Sequence, residues 1–181
     1  MNICAMTMAS VLIAAIAPQA ASAAPAEAVK EDAATIRIPA PPAGKGQIVF
    51  YRKGGIGGSA VACSVFEGGT KVSSLGGGRY FIVVAEPGRH EYAVKTEATD
   101  RLALEVESDE TQFASCKIKM GIMVGRPDIR PATEADFRAA KSLKLVDSDD
   151  MGEGALRPEQ IAAALAASGT PAAPAAAAPA Q

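Results

Sequence analysis

The chain reads as a mostly β protein, an antiparallel β-sandwich or barrel with one short helix towards its C-terminal end. Three observations carry that reading. Short runs of β-branched and aromatic residues recur about every ten residues, with turn residues between them. Apolar and polar residues alternate within the runs, as a sheet with one buried and one wet face requires. All eight aromatic residues, Phe50, Tyr51, Phe66, Tyr80, Phe81, Tyr92, Phe113 and Phe137, fall between residues 46 and 146. The 181 residues are 49% hydrophobic with a formal net charge of -2, yet 28 of the 39 alanines lie outside that span. The core is therefore about a hundred residues, enough for one domain and too few for a second.

Residues 1–23 are apolar and uncharged apart from the amino terminus, and Ala21-Ser22-Ala23 supplies the small-x-small pattern of a signal peptidase site. Cleavage between Ala23 and Ala24 is expected, although the usual Lys or Arg before the apolar run is missing. The run Val11 to Ala17 is shorter than the ~20 apolar residues a spanning helix needs, so no membrane span is expected after cleavage. These features predict a periplasmic or secreted protein. Residues 24–45, with Pro39, Pro41 and Pro42, read as an Ala/Pro-rich linker that holds the domain away from what precedes it.

The domain is expected over residues 46–146. Its strands are Gln47 to Lys53, Ser59 to Phe66, Thr70 to Leu75, Arg79 to Ala85, Arg89 to Glu97, Arg101 to Ser108 and Thr111 to Met120. In Arg101 to Ser108, Leu102, Leu104 and Val106 alternate with Arg101, Glu105 and Glu107, which places the carboxylates on a solvated face. Pro127 and Pro131 then block a helix. Thr133 is a good N-cap for a short helix from Glu134 to Leu143 carrying Phe137 and Ala140. Residues 147–181 are acidic and then Ala/Pro-rich, and predict a mostly disordered tail with a weak helix from Pro158.

Cleavage removes Cys4 and leaves Cys63 and Cys116 in an oxidising compartment. Alternation turns each to the apolar side of its strand. If those strands face each other across the sandwich, a disulfide forms; otherwise both remain buried thiols.

Few residues offer chemistry. Gly55-Ile56-Gly57-Gly58-Ser59-Ala60 matches a dinucleotide fingerprint formally, but the following segment is β-branched and too short to be the required helix. His90 is the sole histidine, with neither a metal-ligand cluster nor a nucleophile motif beside it. It reads as a strand-end histidine packed at a turn. No catalytic residue, metal or cofactor is expected. Residues 117–144 hold seven basic side chains against three acidic ones. Among them Lys117, Lys119, Arg126 and Arg130 form a candidate patch for phosphate-rich envelope glycolipid, anionic polymer or an acidic partner, which the acidic tail would shield. Nucleic acid is not an expected partner, because aromatic stacking residues are not interleaved with the patch.

At Phe50-Tyr51-Arg52, Gly78-Arg79-Tyr80-Phe81, Pro87-Gly88-Arg89-His90, Lys119-Met120-Gly121 and Gly125-Arg126-Pro127, the sequence resembles a domain-of-unknown-function family of small bacterial exported proteins and lipoproteins. The resemblance covers about residues 46–146. It implies an immunoglobulin-like or prealbumin-like sandwich and carries over no activity and no catalytic residue. Many members are lipoproteins, whereas here no cysteine ends the apolar leader. The expected function is a non-enzymatic envelope module acting in binding. The alternatives are a small-ligand carrier or hydrolase with a site near His90, and an accessory or inhibitor subunit of an envelope enzyme.

Overall fold

The computed structural model describes residues 31–55, 61–120 and 125–168. The strands β1 (Gly46–Arg52), β4 (Arg79–Ala85), β7 (Thr111–Met120), β8 (Gly125–Ala132) and β9 (Lys144–Leu145) form one sheet, in the order β8-β7-β1-β4-β9. The strands β2 (Cys63–Glu67), β3 (Thr70–Leu75), β5 (Gly88–Lys95) and β6 (Thr99–Val106) form the second, in the order β3-β2-β5-β6. The four-stranded sheet is antiparallel throughout. The five-stranded sheet is mixed, because β1 runs parallel to β7 and β4 parallel to β9. The molecule is a mostly β sandwich.

The central position of β1 follows from its sequence. Gly46 to Arg52 has no polar alternation, and all seven residues are buried, as a strand covered on both faces requires. Ile48 and Phe50 point between the sheets, where Phe50 stacks on Phe81 at 5.1 Å and meets Tyr92 edge-on at 4.9 Å. Val49 and Tyr51 point the other way, into a second core. Its centre is Phe137, fully buried, with ring centroids 5.3 Å from Tyr51, 5.4 Å from Phe113 and 6.0 Å from Tyr80. Phe137 lies on α1 (Glu134–Arg138), whose N-cap Thr133 forms a reciprocal capping box with Asp136. The helix ends five residues short of the expected Leu143, because the chain turns through Ser142, at φ +53°, to place β9 against β4.

Two expectations are corrected. Residues 31–45 are not a spacer: Ala33 and Ile36 are buried in the second core, Glu31 pairs with Leu143, and the Gln47 side chain donates to the Pro39 carbonyl. The apolar outer face of β1 and β4 needs a cover, and this segment supplies part of it. Residues 147–168 are likewise packed. Met151, Ala155 and Ile161 are buried, and α2 (Pro158–Ser168) sets Ile161 into the second core. Pro127 and Pro131 stand in no helix, as expected, and lie in an eighth strand that local pattern did not indicate. As β8 is an edge strand paired only with β7, it tolerates residues that cannot donate.

The two open sides of the sandwich are also closed. On one, the Gly152 amide donates to the Val72 carbonyl at 2.7 Å, and the Val84 and Leu156 amides bond the Gly154 and Ile82 carbonyls. A Cβ at Gly152 would lie 2.1 Å from the Lys71 carbonyl oxygen, so only glycine allows that approach. On the other, Asp100 on β6 accepts from the Ile129 amide at 2.9 Å and Thr96, in the turn before β6, donates to the Gly125 carbonyl at 2.7 Å, joining this edge to β8. The Ala23–Ala24 cleavage site, most of the glycine-rich loop, Ile122 to Val124 and the tail after Ser168 lie outside the described residues.

Candidate functional site

Cys63 on β2 and Cys116 on β7 are joined by a disulfide with a Cα–Cα separation of 6.7 Å. Both cysteines are buried in the inter-sheet core, so the bridge pins one sheet to the other. Close by, the buried Arg52 guanidinium donates to the carbonyls of Val61 and Leu75, which leads β1 out of the core beside the bridge.

Beyond the cover of α1, the outer face of β7 and β8 carries the predicted patch. The register sets Ser115 opposite Arg130, Lys117 opposite Asp128 and Lys119 opposite Arg126. All four predicted basic residues are therefore neighbours on one face. Asp128 sits among them, bonded to Lys119 at 2.8 Å and to Arg130 Nε at 2.7 Å. The Lys119 hydrogen bond, with help from Arg130 and against the cost of burial, holds its carboxyl below the usual carboxylate range. Two further cations of the basic stretch serve the fold, while Lys141 is exposed. Arg138 donates to Glu134 and to the carbonyls of Ala33 and Ile36, and Lys144 pairs with Asp147 at 3.3 Å.

The acidic residues after 146 do not cover this patch. Asp147 pairs with Arg79 at 2.9 Å as well as with Lys144, and Asp150 lies 3.8 Å from Lys71, on the far side of the sandwich. The sheet order puts β8 and β9 at opposite edges, and these ion pairs hold the acidic segment by β9.

Where the patch meets α1 it opens into a cleft of about 210 Å³, lined by Tyr51, Lys53, Ser115, Lys117, Arg130, Pro131, Ala132 and Asp136 among others. Lys53 joins the patch here. It lies outside the basic stretch of sequence and arrives because β1 runs parallel to β7, with Tyr51 opposite Ser115. The Asp136 carboxyl is held below the usual range by its bonds from Thr133 first, with Lys53 and Lys117 adding their charge. The Tyr51 phenol is raised by burial and by the charge of Asp136, partly offset by Ser115.

His90 is placed as the sequence predicts, half-buried at a strand end and stacked on Tyr92 with centroids 6.2 Å apart. Its Nε2 lies 2.8 Å from the Glu86 carbonyl and its Nδ1 2.5 Å from the Glu67 carboxylate. Both partners are acceptors, so the pair of contacts suits a doubly protonated imidazolium. Burial alone would lower the His90 pKa. The Glu67 and Glu86 hydrogen bonds and the charges of Glu67 and Glu105 outweigh it and raise the value. An imidazole with both nitrogens engaged is poorly set to act as a general base.

Among the described residues no helix is long and apolar enough to cross a membrane. No family model, no curated protein and no solved structure matches the chain.

Proposed function

We propose that the protein is an exported, non-enzymatic module of the cell envelope that binds a phosphate-rich glycolipid through the outer face of β7 and β8. The observation that carries this reading is the convergence of Lys53, Lys117, Lys119, Arg126 and Arg130 on one face, with Asp128 and Asp136 as its acids. Such a face attracts anions by its summed field and grips phosphate through donors that remain charged at all physiological pH values. Export is supported by the Cys63–Cys116 bridge, since disulfides persist in oxidising compartments. A hydrolase or ligand carrier at His90 has weaker support, because that imidazole is committed to Glu67 and Glu86.

The test is co-sedimentation with vesicles carrying a phosphorylated glycolipid, against the same vesicles carrying its dephosphorylated form. Wild-type protein binds the first, more weakly as salt rises. Lys119→Glu with Arg126→Glu lowers binding about tenfold or more, because each reversal turns an attraction into a repulsion of similar size. Equal binding by wild type and variant overturns the reading, as does binding that ignores the phosphate.

A further inference from the structure

Resting on that reading of the basic face, we propose that the cleft between β1, β7, β8 and α1 is a subsite for a sugar phosphate monoester. The phosphate lies against Ser115, Lys117 and Arg130, and the sugar lies towards Pro131, Ala132 and Asp136.

The cleft brings together three cations from separate parts of the chain, Lys53, Lys117 and Arg130, with two hydroxyls, Tyr51 and Ser115. The cations come from the end of β1, from β7 and from β8, so donors approach from several sides. A phosphate monoester, with three terminal oxygens, uses such an arrangement more fully than a carboxylate with two. Arg130 is oriented by its Nε bond to Asp128, which leaves the rest of the guanidinium directed as donors.

The other wall differs in chemistry. Ala132, on the same face of β8 as Arg130, offers an apolar contact for the C–H face of a sugar ring, with Pro131 lining the cleft beside it. Asp136 spends Oδ2 on the Thr133 amide and hydroxyl, so Oδ1 can accept from a sugar hydroxyl. Asp136 repels a bare dianion, and a volume of about 210 Å³ exceeds what a lone phosphate fills. Both features favour phosphate carried on a hydroxylated group over the free ion.

The experiment is an amide-resolved NMR titration of the full chain with glucose 1-phosphate, inorganic phosphate and glucose. Glucose 1-phosphate gives saturable shifts at Ser115, Lys117, Arg130 and Asp136, at lower concentration than inorganic phosphate, and glucose gives none. Lys117→Gln and, separately, Ser115→Ala each weaken the glucose 1-phosphate complex, Lys117→Gln by about tenfold, the effect of one charge-assisted bond. Arg89→Gln, an exposed cation on β5 of the other sheet, leaves it within about twofold, the spread expected of distant independent sites. Non-saturating shifts spread over the whole face, or equal affinities for the cleft variants and wild type, overturn the subsite. If vesicle binding survives in that case, the face reading stands without it. If instead the phosphosugar saturates the cleft while vesicles fail to bind, the subsite stands and the glycolipid reading falls.

Discussion

His90 makes its two hydrogen bonds to acceptors, a carboxylate and a carbonyl, and these ask for a proton on each ring nitrogen. Its folded-state pKa is raised, so the stabilisation is complete below the free imidazole value of about 6.5 and is lost as pH rises through the folded value. The groups facing it are Glu67 on β2, Glu105 on β6, Tyr92 on its own strand and the Glu86 backbone; the Glu86 carboxylate is paired with Lys45. His90→Gln should therefore cost about 1–2 kcal/mol near pH 5.5 and much less at pH 9. Thermal melts at the two pH values check this, and an equal loss at both would contradict the imidazolium assignment. Because the chain has one histidine, its ring proton resonance reports the raised titration without overlap. The role of His90 as a packed strand-end residue was readable from its place after Pro87-Gly88, whereas Glu67, 23 residues earlier, is a partner only the β2–β5 pairing supplies.

At the scale of the elements, the alternation that places Leu102, Leu104 and Val106 inside and Glu105 outside is local, and the sequence displays it. Parallel pairing is not local. Nothing in Gln47 to Arg52 says that β1 lies beside β7, yet this neighbour relation brings Lys53 to the basic face and Tyr51 to the cleft. The disulfide links the same two levels. Alternation turned Cys63 and Cys116 inward, and the packing of β2 across from β7 brought them within bonding reach. Closing 53 residues of separation is worth about 4 kcal/mol in the chain-entropy account. Cys63→Ala with Cys116→Ala should lower stability by about 2–4 kcal/mol in denaturant melts, and intact wild type should gain about 2 Da on reduction, as two hydrogens add to one bridge. A wild type whose mass does not change on reduction would remove the bridge and this support for export.

For the whole molecule, the sandwich has a third layer on the outer face of its five-stranded sheet, built from residues 31–45, α1 and α2 around Phe137. A chain beginning at Gly46 loses the burial of Ala33 and Ile36, the Glu31–Leu143 pairing and the carbonyls that receive Arg138. It should be less stable than one beginning at Glu31 by about 3 kcal/mol, mostly from uncovering Ile36 and the β1–β4 face. Matched urea melts of the two chains test this, and equal midpoints would restore the segment to a linker. Proline and alanine content pointed to a spacer because composition reports what a segment costs to order, not what surface awaits it. The uninterrupted burial of β1 is the one local hint that a cover exists.

By itself the sequence determined the strand-rich class, most strand positions, the N-cap at Thr133, the inward-facing cysteines and the shared face of Lys117 and Lys119, because each is written in residues near one another; Arg126 and Arg130 join that face only through the β7–β8 pairing. Tertiary structure alone decided the sheet order, the parallel neighbours of β1, the third layer, the arrival of Lys53 and the placing of the acidic segment by β9. Those features arise where distant segments share one surface, and burial of that shared surface, not local propensity, selects which segments meet.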